Sequence, residues 1–166
     1  MTIQPIVTYP DKRLRTIAEP VTVFDEGLRT LAADLLETMR AASGIGITAP
    51  HIGVSKRLVV LQLSDDSEAR TYVNPTIVWA SPTLVRQQEG SISMNGVVAE
   101  IERPAQIRVR YQDLNGAEHS EEADGLLSVC HQHEIDQLDG IFWIQKLSAL
   151  QRERVIKRYQ KLKRFA

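Results

Sequence analysis

A single cysteine, Cys130, is all the thiol chemistry available to this 166-residue chain. An internal disulfide is therefore excluded, and a reducing compartment is expected. No apolar run approaches the ~20 residues that a membrane-crossing helix needs. The N-terminus also lacks a basic region followed by an apolar one, so neither a span nor a secretory leader is expected, and the expected location is the cytoplasm. Neither sign of charge dominates: 20 Lys and Arg face 21 Asp and Glu. That balance argues against a bulk polyelectrolyte role. Internal repeats, linkers and low-complexity segments are missing too. What these absences leave is a single domain over residues 1–166, long enough to bury a hydrophobic core without staples.

Pro5, Pro10 and Pro20 punctuate an N-terminal arm from Ile3 to Val23 and discourage regular structure there. Asp25 is placed to cap a helix running to about Met39. Leu28, Leu31, Leu35, Leu36 and Met39 recur at helical spacing and are expected to face the core. The segment Gly44-Ile45-Gly46-Ile47-Thr48-Ala49-Pro50-His51-Ile52-Gly53 follows. Its glycines imply close backbone approach to a ligand or another strand. The Gly-Lys-Ser/Thr ending of a phosphate loop is absent. Strands are expected over Arg57–Leu63, Tyr72–Trp79 (broken at Asn74-Pro75), Val85–Glu89, Gly96–Ile101 and Ile107–Tyr111. Asn115-Gly116 signals a hairpin whose returning strand is Ala117–Ala123. A helix over 125–139 ends at Gly140, and a last helix starts near Ser148.

The 125–139 helix carries the chemistry. His133-Glu134 begins the pattern His-Glu-x-x-His, in which two imidazoles one turn apart hold a zinc ion while the glutamate acts on its water. The second histidine is replaced by Gln137, and a neutral amide oxygen is a much poorer transition-metal ligand than imidazole.

Three segments together resemble one family, the peptide deformylases, whose signatures run approximately Gly-x-Gly-Leu-Ala-Ala-Pro-Gln, Glu-Gly-Cys-Leu-Ser and Gln-His-Glu-x-Asp-His. Here they read Gly44 to His51, Glu89-Gly90-Ser91-Ile92-Ser93 and Gln132-His133-Glu134-Ile135-Asp136-Gln137. The resemblance covers almost the whole chain. It implies an α+β fold, with antiparallel β-sheets around a central helix carrying His133 and Glu134, plus N- and C-terminal helices. The activity implied is metal-dependent removal of the formyl group from the N-terminal formyl-methionine of nascent proteins.

The departures fall at the chemistry. The resemblance places the iron or zinc of the family on positions Ser91, His133 and Gln137. A serine hydroxyl stays protonated near neutral pH and supplies neither the charge nor the softness of a thiolate. One good ligand of three remains, so metal is expected to bind weakly or not at all. Glu134 is the implied general base, with His51 and the Ile92 backbone N–H polarising the formyl oxygen. In the family the position of His51 is a glutamine. His51 is alternatively a displaced metal ligand in a rearranged two-histidine site. Ile45, Gly46, Gly90, Leu126, Val129 and Cys130 are the implied substrate-binding residues. Cys130, one helical turn before His133, reads as pocket wall rather than replacement ligand. Gln87 stands where that wall is commonly apolar.

Other polar residues have plainer readings. His131 is expected on the helix surface and His119 in solvent, while Glu89 and Arg103 form an ion pair implied by the resemblance. Ser91, His133 and Glu134 make a poor nucleophilic triad, because Glu134 adjoins His133 in sequence and is badly placed to orient its far nitrogen. From Lys146 onward eight Lys or Arg face one acid, Glu153. They form either a solvated helix face or a ribosome contact.

Three functions are thus in play. The first is a deformylase-like protein with a degenerate metal site that binds a formyl-methionyl peptide or nascent chain. The second is an active N-acyl or formyl amidohydrolase using His51, and the third is a non-enzymatic ribosome- or peptide-binding module.

Overall fold

A computed structural model describes residues 2–165. Asp25 caps α1 (Glu26–Ala41) by accepting the Leu28 N–H at 3.1 Å. The helix buries Leu28, Ala32, Leu35 and Met39, while Leu31 and Leu36 are only half-buried at the edge of the stripe. Its end turns sharply through Ser43, and Gly44 N–H returns to the Met39 carbonyl.

Five antiparallel strands form one sheet in the order β1 (Gly46–Thr48), β2 (Leu58–Leu61), β3 (Arg70–Ala80), β6 (Ile107–Gln112) and β7 (Glu118–Ala123). A separate hairpin pairs β4 (Leu84–Ser91) with β5 (Met94–Pro104). Asn74-Pro75 interrupts the β3 ladder without ending the strand. A register shift between Val73 and Thr76 absorbs the proline, which has no N–H for the ladder. Asn74, at φ 50°, instead uses its side-chain amide to grip the arm. It accepts from Val21 N–H at 2.8 Å and donates to the Val21 carbonyl at 2.9 Å. The Asn115-Gly116 turn closes β6 onto β7 as expected, with Asp113 accepting two backbone N–H groups.

The central helix α2 (Gly125–Leu138) packs against β1, β2 and β3 on one side and β5 on the other. Both sides are covered, so its polar residues need partners inside the protein. Gln132 donates to Ser128 Oγ and to the Pro104 carbonyl, both at 2.9 Å. His131 is fully buried rather than on the helix surface, a correction to the sequence expectation. It lies edge-on to Tyr72 and 2.7 Å from Glu121. The helix stops at Gly140, whose φ of 75° lets Ile141 N–H reach back to the Asp136 carbonyl. Helix α3 (Ala149–Arg164), capped by Ser148, buries Val155 and Tyr159 and packs on β5. Leu150 and Leu162 of the same helix are exposed. No helix among the described residues is long and apolar enough to cross a membrane.

Candidate active site

A cavity of about 440 Å³ opens between the β1 edge, the β4–β5 hairpin and α2. Gly44 and Gly46 set how closely these parts approach. A Cβ at Gly46 would lie 2.8 Å from Glu134 Oε2, and one at Gly44 would lie 2.8 Å from Ile92 Cγ2. The close approach inferred from the glycines is therefore to the Glu134 and Ile92 side chains.

The cavity brings together Ile45, Gly46, His51, Gly90, Ser91, Ile92, Leu126, Val129, Cys130, His133 and Glu134. Gln137 is the sequence-derived candidate that it leaves out. The Gln137 amide is buried, and its Nε2 donates to the Leu14 carbonyl at 2.6 Å. Gln87 is likewise absent from the lining, and its neighbour Gln88 takes that place. Sequence reasoning also missed the far wall, Asn95 to Val98 of β5. The Asn-Gly pair at 95–96 was the available turn signal.

At the floor, Glu89 organises the charges. Its carboxylate takes Arg103 at 2.5 and 2.9 Å and the His133 Nδ1–H at 2.9 Å. Arg103, 4% exposed, extends the chain of pairs to Asp136 at 2.8 Å. Burial alone would raise the Glu89 pKa, but these hydrogen bonds outweigh it and hold the carboxyl below its ordinary value. Burial works against a charged His133. The Glu89 hydrogen bond and the charge of Glu134 outweigh it, leaving the imidazole raised. The His133 Nε2 lies 3.8 Å from Glu134 Oε1. Burial pushes Glu134 up to about 7, with His133 opposing and Glu89 adding to the rise. A carboxyl near 7 is suited to exchanging a proton at neutral pH.

The other lining groups are quieter. Ser91 ends β4, and its Oγ accepts from Ser93 N–H at 3.0 Å. Cys130 is buried, and burial, reinforced by Glu134, pushes its thiol up to about 12, so it lines the cavity as a neutral group. His51 follows Pro50 in a 3-10 turn, where its Nδ1 lies 2.9 Å from both Thr48 N and Thr48 Oγ1. Burial, and secondarily His133, push His51 down to about 3.

The sequence pattern of the polypeptide deformylases matches residues 3–153. The chain belongs to the polypeptide deformylase family. Among its relatives, a "peptide deformylase-like" protein of Brucella suis is 69% identical over 99% of this chain and 100% of its own length. The same strain also has a "peptide deformylase", which is 42% identical over 98% of this chain and 94% of its own length. The crystal structure of a peptide deformylase from Legionella pneumophila superposes with a TM-score of 0.94. That protein is 39% identical, covering 99% of this chain and 97% of its own. The α+β architecture read from the sequence is thus the deformylase fold.

The family is one of metalloenzymes. In this chain no group of three or more His, Cys, Asp or Glu side chains among the described residues is arranged to hold a metal ion. His133 is the remaining strong donor of the three expected ligand positions. Ser91 offers a hydroxyl, and Gln137 is committed to the arm.

Proposed function

We propose that this chain is a single-domain, deformylase-like protein whose residues do not fit the family's metal. On this reading it keeps the cleft as a binding site for a formyl-methionyl peptide or nascent chain and has lost most or all deformylase activity. The observation that carries the reading is the position of Gln137. Its amide hydrogen satisfies the Leu14 carbonyl, so turning the side chain toward His133 would leave a buried carbonyl unpaired. The closer match to the Brucella suis deformylase-like protein than to the deformylase of the same strain points the same way.

The cleft suits an extended peptide. β1 is an edge strand of its sheet, with β2 on one side only, and the cavity lies beside its Gly44–Gly46 approach. Ile45, Leu126 and Val129 supply apolar wall near the methionine position, with Cys130 between α2 and the sheet. In this reading His51 and the Ile92 N–H face the acyl oxygen, while Gly46 and Gly90 let the peptide backbone approach. Glu134 keeps the place of the general base. Without the metal, its water would keep the acidity of ordinary solvent.

Restoring the ligands tests this. Ser91→Cys with Gln137→His should bind metal far more tightly than the wild type and gain formyl-methionyl hydrolysis. Each single change should do little, since the groups act as one unit. A wild type that hydrolyses as fast as the double variant would overturn the reading.

The basic face of α3 is read as solvated. Arg152 is occupied with the Ile144 and Leu147 carbonyls, and Lys146 lies 3.6 Å from Asp136. Lys157, Arg158, Lys161, Lys163 and Arg164 are exposed. Ribosome contact through them is the competing use, and salt-sensitive co-sedimentation would reveal it. A cytoplasmic location accords with either.

A further inference from the structure

Helix α2 covers one face of the five-stranded sheet, where Ile77, Ile107 and Val109 meet Ile135. On the opposite face Thr76, Trp79, Arg108, Arg110, Ser120 and Glu122 are all exposed. Cross-strand pairing sets this face out in rows: Trp79, Arg108 and Glu122, then Thr76, Arg110 and Ser120, then Gln112 and Glu118. Trp79 reaches it through a bulge. Ile77 pairs with Val109 and Trp79 with Arg108, so two steps along β3 match one along β6. In unbroken alternation Trp79 would pair with Ile107 on the covered side. The extra residue, Val78, turns it outward instead, and 44% of it is exposed. Arg108 lies over the ring at 6.0 Å. A concavity of about 240 Å³ opens on the same face, lined by Asn74, Thr76, Arg110, Tyr111, Gln112 and Glu118. Arg108 is paired with Glu122 at 2.8 Å, whereas neither Arg110 nor Glu118 has an ion-pair partner among the described residues.

We infer that this face joins two copies of the chain in a two-fold dimer, with Trp79 of each copy entering the concavity beside Arg110 and Glu118 of the other. An indole suits what the concavity offers. Its ring face attracts the Arg110 guanidinium, and its N–H donates to the Glu118 carboxylate. Exposed tryptophans with arginine beside them are the usual anchors of protein interfaces. The occupant is a second copy because anchor and receiving site lie on one face of one chain, which is what a self-complementary interface requires. Trp79 does not line its own concavity, so the site is left for another ring. None of these residues lines the cavity beside α2, and the pair leaves that cleft open.

Sedimentation of the full-length protein tests this. The wild type should pass from one chain to two as its concentration rises. Fluorescence reports the same event, because the other tryptophan, Trp143, is already buried. Association should move the Trp79 emission to the blue and shield it from an aqueous quencher. Trp79→Ala should weaken pairing by about thirtyfold or more for each anchor removed. Thr76→Phe, which blocks the concavity and spares the anchor, should also prevent self-pairing. Both positions are exposed, so both variants should fold as the wild type does. Mixed together, the two variants regain one anchor in one concavity and should associate more tightly than either does alone. A wild type that stays single at every concentration leaves the face to a different partner and would overturn the inference. A dimer untouched by Trp79→Ala would overturn it as well, and so would variants that associate no better mixed than apart.

Discussion

Acidification should expose His51 as a buried neutral group. Its pKa lies at about 3 in the folded protein against 6.5 for an ordinary histidine. Between these values the unfolded chain binds the extra proton, so the folded state loses stability as pH falls through 6.5. At 1.36 kcal/mol per pKa unit, going from pH 7 to pH 5 costs about 2 kcal/mol from this residue. His51→Gln removes the titration while keeping an acceptor for the Thr48 N–H. Urea unfolding of both proteins at pH 7 and pH 5, followed by far-ultraviolet circular dichroism, gives the double difference. The wild type should lose about 2 kcal/mol relative to the variant over that interval. Groups that titrate alike in both proteins cancel. A difference that stays constant from pH 7 to pH 5 would refute the buried, neutral assignment.

Glu134 should behave with the opposite sign. Its folded pKa of about 7 exceeds the ordinary 4.5, so its contribution is fully present below 4.5 and is lost as pH rises through 7. Glu134→Gln should therefore forgo about 2 kcal/mol of the stability that the wild type gains between pH 7 and pH 5, measured by the same unfolding curves. Arg103→Met leaves Glu89 buried without its guanidinium and should cost about 3–5 kcal/mol, with part recovered by adding Glu89→Gln. Thermal unfolding curves recorded with and without a chelator should overlay, because the helix holding His133 is tied by Glu89 and needs no metal to fold. A large drop in midpoint with chelator would count against the account.

Much of the architecture was legible in local signals: the Asp25 and Ser148 caps, the Asn115-Gly116 turn and the alternation of Ile107, Val109 and Tyr111. The three motif segments also located the cavity, since they supply half of its lining. The failures have physical causes. His131 looked like a surface residue because helical spacing gives its direction relative to His133, not what covers that direction. The sheet covers it, and Tyr72 and Glu121 receive it. Gln137 shares a helix face with His133, yet its side chain is claimed by a carbonyl 123 residues away in sequence, which no local pattern reports. The Gln87 position came from the family resemblance, and its neighbour Gln88 lines the cavity instead. The His51 Nδ1 contact depends on a backbone N–H three residues earlier, and that geometry arises only once the 3-10 turn forms.

The central claim is that these residues do not hold the family's metal, and elemental analysis of the wild-type protein tests it most directly. Protein purified with neither added metal nor chelator should carry well under one equivalent of iron, nickel or zinc after mild dialysis. Near-stoichiometric metal that survives dialysis, together with hydrolysis of a formyl-methionyl peptide, would contradict the account.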